Sequence, residues 1–247
     1  MKRRDFVSAI GASAMFASIG AAQTDFQTYG FQAWYDALVK HSEDLKHGKL
    51  SALQWQEAVE KVYGNAKGDD IYHALDWGYT KMDMIRSVSP ERGELFRQFN
   101  LSTNHPVTGG PRKLITKVAH VQKGRAIPPH GHSNMASAFL VLSGEFEVRQ
   151  YDKLEDRQDH LVVRQTVHDK RAGEGTWSSI SDYKNNVHWL EAKTDDCFIL
   201  SSKVVGVEEG RKLDGRVNID LIEAKTLGTD TFLANKITST EAAELYQ

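Results

Sequence analysis

The chain has 247 residues, 31 Lys and Arg against 33 Asp and Glu, a formal net charge of −2 and 40% hydrophobic residues. It is long enough to bury a substantial core, too hydrophobic for wholesale disorder, and too evenly charged to offer nucleic acid a basic face. The single cysteine, Cys197, excludes an internal disulfide framework and Cys-rich zinc modules; with no run of about 18 apolar residues, a polytopic membrane protein is excluded too.

The chain opens with Lys2, Arg3 and Arg4, then a weakly apolar stretch from Phe6 to Ile19, then Gly20-Ala21-Ala22. A cationic start, a short apolar tract and small residues at the end have the shape of a secretory signal with the cut before Gln23. The Arg-Arg pair followed by Asp5, Phe6 and Val7 resembles a bacterial twin-arginine signal. That resemblance implies a periplasmic protein exported already folded, touching a membrane only during export.

From residue 23 to about 103 the pattern predicts a helical segment. Phe31, Trp34, Tyr35, Leu38 and Val39 recur at three- and four-residue intervals. Ser51 with Gln54 forms a capping box before Trp55, Val59 and Val62, and Gly64 ends that helix. Asp69 or Asp70 caps a third helix carrying Ile71, Leu75, Tyr79, Met82 and Ile85; Ser89-Pro90-Glu91 starts a fourth. Trp34, Trp55 and Trp77 sit on apolar faces and are expected to pack rather than bind a ligand. The segment is also a candidate surface for a homodimer.

Asn104 to Pro111 marks a boundary, and the period then changes to two over 104–206. Strands are predicted at Leu114–Val121, Phe139–Leu142, Glu145–Arg149, Leu161–Val163, Thr166–Val167, Val187–Leu190 and Cys197–Val205, with Ser143-Gly144 turning a hairpin. Short strands at this spacing predict a mainly β sandwich or barrel. Residues 207–247 form a C-terminal extension in which Ser239-Thr240-Glu241 caps a final helix.

The chemistry concentrates in Gly124-Arg-Ala-Ile-Pro-Pro-His130-Gly-His132. Histidines at i and i+2 of an extended segment project from one face, and His188, on a much later strand, supplies a third imidazole. Three neutral imidazoles can hold one metal ion with positions left open. Gly-x5-His-x-His followed by Gly144 resembles the first cupin motif, which implies a double-stranded β-helix, or jelly roll, holding a metal inside. Ser137 stands where that motif has a Glu, seven residues before Gly144, and Asn185 and Tyr183 stand where the second motif has Gly and Pro.

A narrower resemblance covers about Ile115 to Val205. His130-Gly-His132-Ser-Asn-Met135, Leu142-Ser-Gly144, Val148-Arg-Gln-Tyr151-Asp152, Asn186-Val-His188 and Ala192-Lys-Thr194-Asp-Asp-Cys197-Phe-Ile-Leu200 are similar to the cysteamine dioxygenase and plant cysteine oxidase group. Ser133-Asn134 replaces its Pro-Gly pair, and Ser201-Ser202-Lys203 its Pro-Pro-Tyr. The resemblance implies Fe(II) on three histidines without a carboxylate, and O2-dependent oxidation of a small thiol or other small anion. Without a Glu, a divalent ion keeps its full charge, which favours anionic ligands and acidifies a bound thiol. Zn, Mn or Ni are alternative ions. A non-oxidative metal-dependent lyase or isomerase on the same barrel, or a non-catalytic periplasmic binding protein, are the alternative functions. Ser137, His120, Trp177 and Trp189 are candidates to line the pocket.

Overall fold

The computed structural model describes residues 30–88, 94–99 and 114–246. The signal read over 1–22, the helix start at Ser89-Pro90-Glu91 and the boundary at Asn104 to Pro111 lie outside the described residues.

Among the described residues four helices come first: α1 (Phe31–Lys46), α2 (Ala52–Gly64), α3 (Gly68–Ala74) and α4 (Trp77–Ser87). In α1 the buried Trp34, Tyr35, Leu38, Ser42 and Leu45 trace one stripe, and in α2 Ala52, Trp55, Gln56, Val59 and Tyr63 trace another. The Ser51–Gln54 capping box is formed. The third helix expected from Asp69 onward is instead two helices, broken at Asp76, whose φ of 45° is left-handed. Aspartate tolerates that conformation, and the hydroxyl of Thr80 donates to the otherwise free carbonyl of Leu75 at the break. Asp69 and Asp70 lie in the first turn of α3 rather than capping it.

Twelve strands follow among the described residues: β1 (Glu94–Phe99), β2 (Ile115–Val121), β3 (Ala126–Gly131), β4 (Met135–Ser143), β5 (Phe146–Asp156), β6 (His160–Ala172), β7 (Trp177–Ser181), β8 (Val187–Ala192), β9 (Cys197–Val205), β10 (Val217–Ile219), β11 (Lys225–Thr226) and β12 (Thr231–Ile237), before helix α5 (Ser239–Tyr246). One sheet has the order β1-β2-β9-β4-β7; the other has β10-β3-β8-β5-β6-β12-β11. Strands β2 to β9 thus interleave between two four-stranded sheets, β2-β9-β4-β7 against β3-β8-β5-β6, which is the strand order of a jelly roll. The fold is mainly β, a double-stranded β-helix or jelly roll with helices at its N-terminal side.

Two expectations are corrected here. Residues 94–99 form a strand paired with β2, not a continuation of the helices. The Phe139–Arg149 region is not a hairpin: β4 pairs with β7 and β9 in one sheet, and β5 with β6 and β8 in the other. Gly144, at φ 78°, turns the corner between sheets, and a Cβ there would lie 2.6 Å from the Cys197 Sγ. A Ser-Gly step between two apolar runs carries no mark of whether the chain reverses within a sheet or crosses to the facing one.

Strands β2, β4 and β9 of the five-stranded sheet bury apolar residues on both faces. Val118, Ala136, Ala138, Leu140, Leu142, Phe198, Leu200 and Val204 pack outward against the helices. Ala119, Val121, Phe139, Val141, Cys197 and Ile199, one position out of phase on the same strands, point into the barrel. Helix α2 is also keyed to β7 by polar contacts: Gln56 Nε2 donates to Ser179 Oγ at 3.0 Å, and the hydroxyls of Ser179 and Ser181 donate to Glu60 and Gln56, each at 2.6 Å. The C-terminal extension adds β10 to one edge of the second sheet and β12 to the other, while β10 also pairs with β12. Its last helix is capped by Thr238 with Glu241, one residue earlier than the sequence suggested.

Candidate metal centre

Strand β3 carries an irregularity that aims the site. Ile127 pairs with Leu190 and His130 with His188, so three steps on β3 match two on β8. The extra residue falls at Pro128-Pro129, where prolines cannot donate ladder hydrogen bonds. It changes the phase of the strand, so that Ile127, His130 and His132 all line the interior. His130 sits opposite His188 on β8, which in turn sits opposite Gln150 on β5. Directly opposed antiparallel residues share a face.

The three imidazoles meet. One ring nitrogen from each of His130, His132 and His188 lies within 4.8 Å of the others, and the ring centroids of His130 and His188 are 4.1 Å apart. His130 Nδ1 lies 2.7 Å from the Pro128 carbonyl and His188 Nδ1 3.2 Å from that of Asn186. Donation to those carbonyls fixes each ring and leaves Nε2 as the free donor atom. The buried Nδ1 of His132 makes no hydrogen bond to protein. Burial, first, and the neighbouring positive charges hold His130 well below the usual imidazole range; the same causes hold His132 down at about 2, and burial foremost holds His188 at about 3. The rings are therefore neutral, the form that ligates metals. Three nitrogens about 2.1 Å from a single ion sit roughly 3.4 Å apart in tetrahedral geometry. Closing on an ion therefore asks the rings for movements of roughly an ångström. Neutral rings, fixed tautomers and an unsatisfied buried nitrogen all fit a metal ion.

The loop bearing these histidines is pinned by Asn186. Its Nδ2 donates to the His132 and Ser181 carbonyls at 3.0 and 3.1 Å, and its Oδ1 accepts from His132 N at 3.3 Å. A Cβ on Gly131 would lie 2.5 Å from that Oδ1, so glycine is required between the two ligands. Asn134 and Asn185 stand where the resembled motifs have Gly, and both are left-handed, with φ of 58° and 56°. Asparagine is among the few residues that accept this conformation, so the backbone path survives both departures. Asn134 also binds the Glu208–Arg211 loop through both ends of its amide.

A cavity of about 300 Å³ opens at the histidines. Its apolar wall includes Ile127, Phe139, Leu190 and Ile199, and its polar rim includes Ser137, Lys203 and Arg216. Among the described residues, no carboxylate lines it. Ser137 donates its hydroxyl to the Ser202 carbonyl at 3.0 Å and sits directly opposite Lys203 in the β4–β9 ladder. Burial, and then the charges of Lys117 and Arg216, push Lys203 down to about 8; Arg216 is likewise pushed down by burial.

Three other residues expected near the cavity are elsewhere. His120 is out of phase with Ala119 and Val121, faces the helices and stacks on Phe198 at 4.4 Å. Trp177 points outward on β7, against Gly64 of α2. Trp189, next to His188, takes the opposite face and carries Arg149 over its ring at 4.0 Å. Strand alternation alone separates Trp189 from His188. Lys203 and Arg216 were not anticipated. Lys203 lies in register with inward-facing Ile199 and Ser201, a signal the sequence does hold, whereas Arg216 precedes a three-residue strand and carries none.

No protein-family model and no curated protein matches the chain. Solved structures that resemble it include procruciferin, an 11S globulin from Brassica napus (14% identity, TM-score 0.31, covering 38% of this chain and 21% of that one). Vicilin from hazelnut, Corylus avellana, is another (14% identity, TM-score 0.32, 43% and 26%). KdgF from Halomonas sp. is a third (18% identity, TM-score 0.32, 48% and 84%). The chain thus spans about a fifth of the procruciferin chain and a quarter of the vicilin chain.

Proposed function

We propose that His130, His132 and His188 hold a divalent metal ion, iron(II) foremost, and that the cavity oxidises a small anionic compound, a thiol first among them, with O2. The observation that carries this reading is the convergence of three neutral imidazoles on one cavity with no carboxylate in its lining among the described residues. The similarity of the segment from Ile115 to Val205 to the three-histidine thiol dioxygenases supports the choice of iron and of a thiol. Bound iron(II) would supply open coordination positions and an electron for O2.

The chain's own residues do the rest. The Pro128 and Asn186 carbonyls hold the proton on Nδ1 of His130 and His188, keeping Nε2 unprotonated. Ile127, Phe139, Leu190 and Ile199 exclude water from the floor. Lys203 and Arg216 draw in an anion, and their charges also act on His132 and His188. The twin-arginine reading of residues 1–22 adds a place of work, the periplasm, reached after the barrel has folded and taken up its ion.

The test is an oxygen electrode with iron-reconstituted protein and a panel of small thiols and carboxylates. Uptake of O2 with one of them, lost in His188→Ala, is the expected result. Turnover that proceeds equally without O2 would replace this reading with a lyase or isomerase, and a wild-type protein that takes up no metal would remove it.

A further inference from the structure

We infer that Lys203 and Arg216 form an anion clamp at the rim of the three-histidine cavity, and that the molecule it takes is a small carboxylate bearing a second anionic group for the metal end. The second half rests on the function proposed above; the clamp stands on its own geometry.

Both cations line the same cavity as the histidines. Lys203 makes no hydrogen bond or ion pair with any described residue. Arg216 donates no hydrogen bond among them either; its nearest carboxylate, Glu94, is 3.9 Å away, beyond hydrogen-bonding distance. A half-buried lysine without a counter-ion, beside an arginine whose carboxylate partner stands off at 3.9 Å, is costly unless something arrives to pair it. The slot directly across the ladder from Lys203 is Ser137, too short and already engaged with the Ser202 carbonyl. A carboxylate there would have neutralised the lysine from within the protein; its absence leaves that charge for a ligand.

Charge counting sets the ligand's valence. Three neutral imidazoles leave a divalent ion at +2, and Lys203 and Arg216 add two more, of which Glu94 offsets at most one. A monoanion therefore leaves a net charge of about +2 to +3 and a dianion about +1 to +2, so the second negative charge is still favoured. The fork of a guanidinium matches a planar carboxylate with two parallel hydrogen bonds, and the lysine adds a point charge. A cavity of about 300 Å³ limits the ligand to a small metabolite.

The probes are malonate, its uncharged diamide and inorganic phosphate, titrated calorimetrically into zinc-loaded and metal-free protein, so that no turnover intervenes. Malonate should bind zinc-loaded wild type, the diamide should not bind measurably, and phosphate should bind more weakly than malonate. Lys203→Met and Arg216→Gln should each weaken malonate by about tenfold to a hundredfold, the usual loss for a charge-assisted hydrogen bond. Lys203→Arg should retain most of the affinity and Arg216→Lys should lose less than Arg216→Gln, which separates lost charge from lost fold. Ser137→Glu, which sets a carboxylate against Lys203, should weaken malonate as well. If zinc does not load but metal-free protein still binds malonate through Lys203 and Arg216, the clamp stands and the metal reading falls. Malonate affinity unchanged in both charge-removing variants, or phosphate binding more tightly than malonate, would overturn the clamp.

Discussion

The two ends of the barrel interior are built on the same strands and the same face, yet they do opposite things. At one end Val121, Val141, Phe146, Val148, Ala172 and Cys197 pack into a buried apolar cluster. At the other, the continuation of those ladders carries Ser137 on β4, His188 on β8 and Ser201 and Lys203 on β9, and a cavity remains. The change occurs within a few residues of each strand: Ile199 to Ser201, Phe139 to Ser137, Leu190 to His188. The packed end supplies hydrophobic free energy, and the open end trades it for chemistry. Stability and ligand binding should therefore respond to different mutations.

The largest effect belongs to the packed end. Phe146 is fully buried, and Phe146→Ala should lower unfolding free energy by about 3–5 kcal/mol, the usual cost of such a cavity. Urea unfolding reads this. Metal content per folded molecule should not change; a parallel loss of metal would join the two ends into one unit and break the contrast.

A smaller and opposite effect is expected at the open end. Lys203 is held at about 8 against an ordinary 10.5, chiefly by burial. Below pH 8 it is charged in both folded and unfolded chains, and the full burial cost is present. Between pH 8 and 10.5 the folded protein sheds the proton first, so the cost fades as pH rises. Lys203→Met should accordingly be more stable than wild type by about 1–3 kcal/mol at pH 7. The advantage should shrink as pH climbs through that window, as thermal unfolding at a series of pH values will show. An advantage independent of pH would come from the packing of methionine and not from the buried charge, and no advantage at pH 7 would mean the lysine finds a partner in solution.

The smallest effect sharpens the boundary of the site. His120→Gln removes a ring stacked on Phe198 outside the barrel and should cost about 1 kcal/mol or less, with metal stoichiometry unchanged. Loss of metal in that variant would place His120 in the centre after all.

Much of this was legible in the sequence because alternation is a strong signal. Strand β9 was read at its true bounds, and the Ser51–Gln54 cap formed as its pattern demanded. The three histidines were legible because their spacing puts two on one extended segment, although the Pro128-Pro129 bulge that aims them was not. Three kinds of feature were hidden. The sheet-crossing at Gly144 looks like a hairpin because both need a tight turn. The strand at Glu94–Phe99 follows four helices with nothing but pairing to β2 to define it. Arg216 reaches the cavity from a loop whose path depends on the Asn134 contacts to residues far along the chain. His120 and Trp189 were misplaced for a different reason: the alternation that would have turned both away from the cavity was present in their own strands.

The most direct measurement is metal analysis of wild type and His188→Ala purified from iron-replete cells, with folding of both confirmed by circular dichroism. The account predicts about one ion per wild-type chain and close to none in the folded variant. A metal-free wild type, or a variant that keeps its ion, would contradict it.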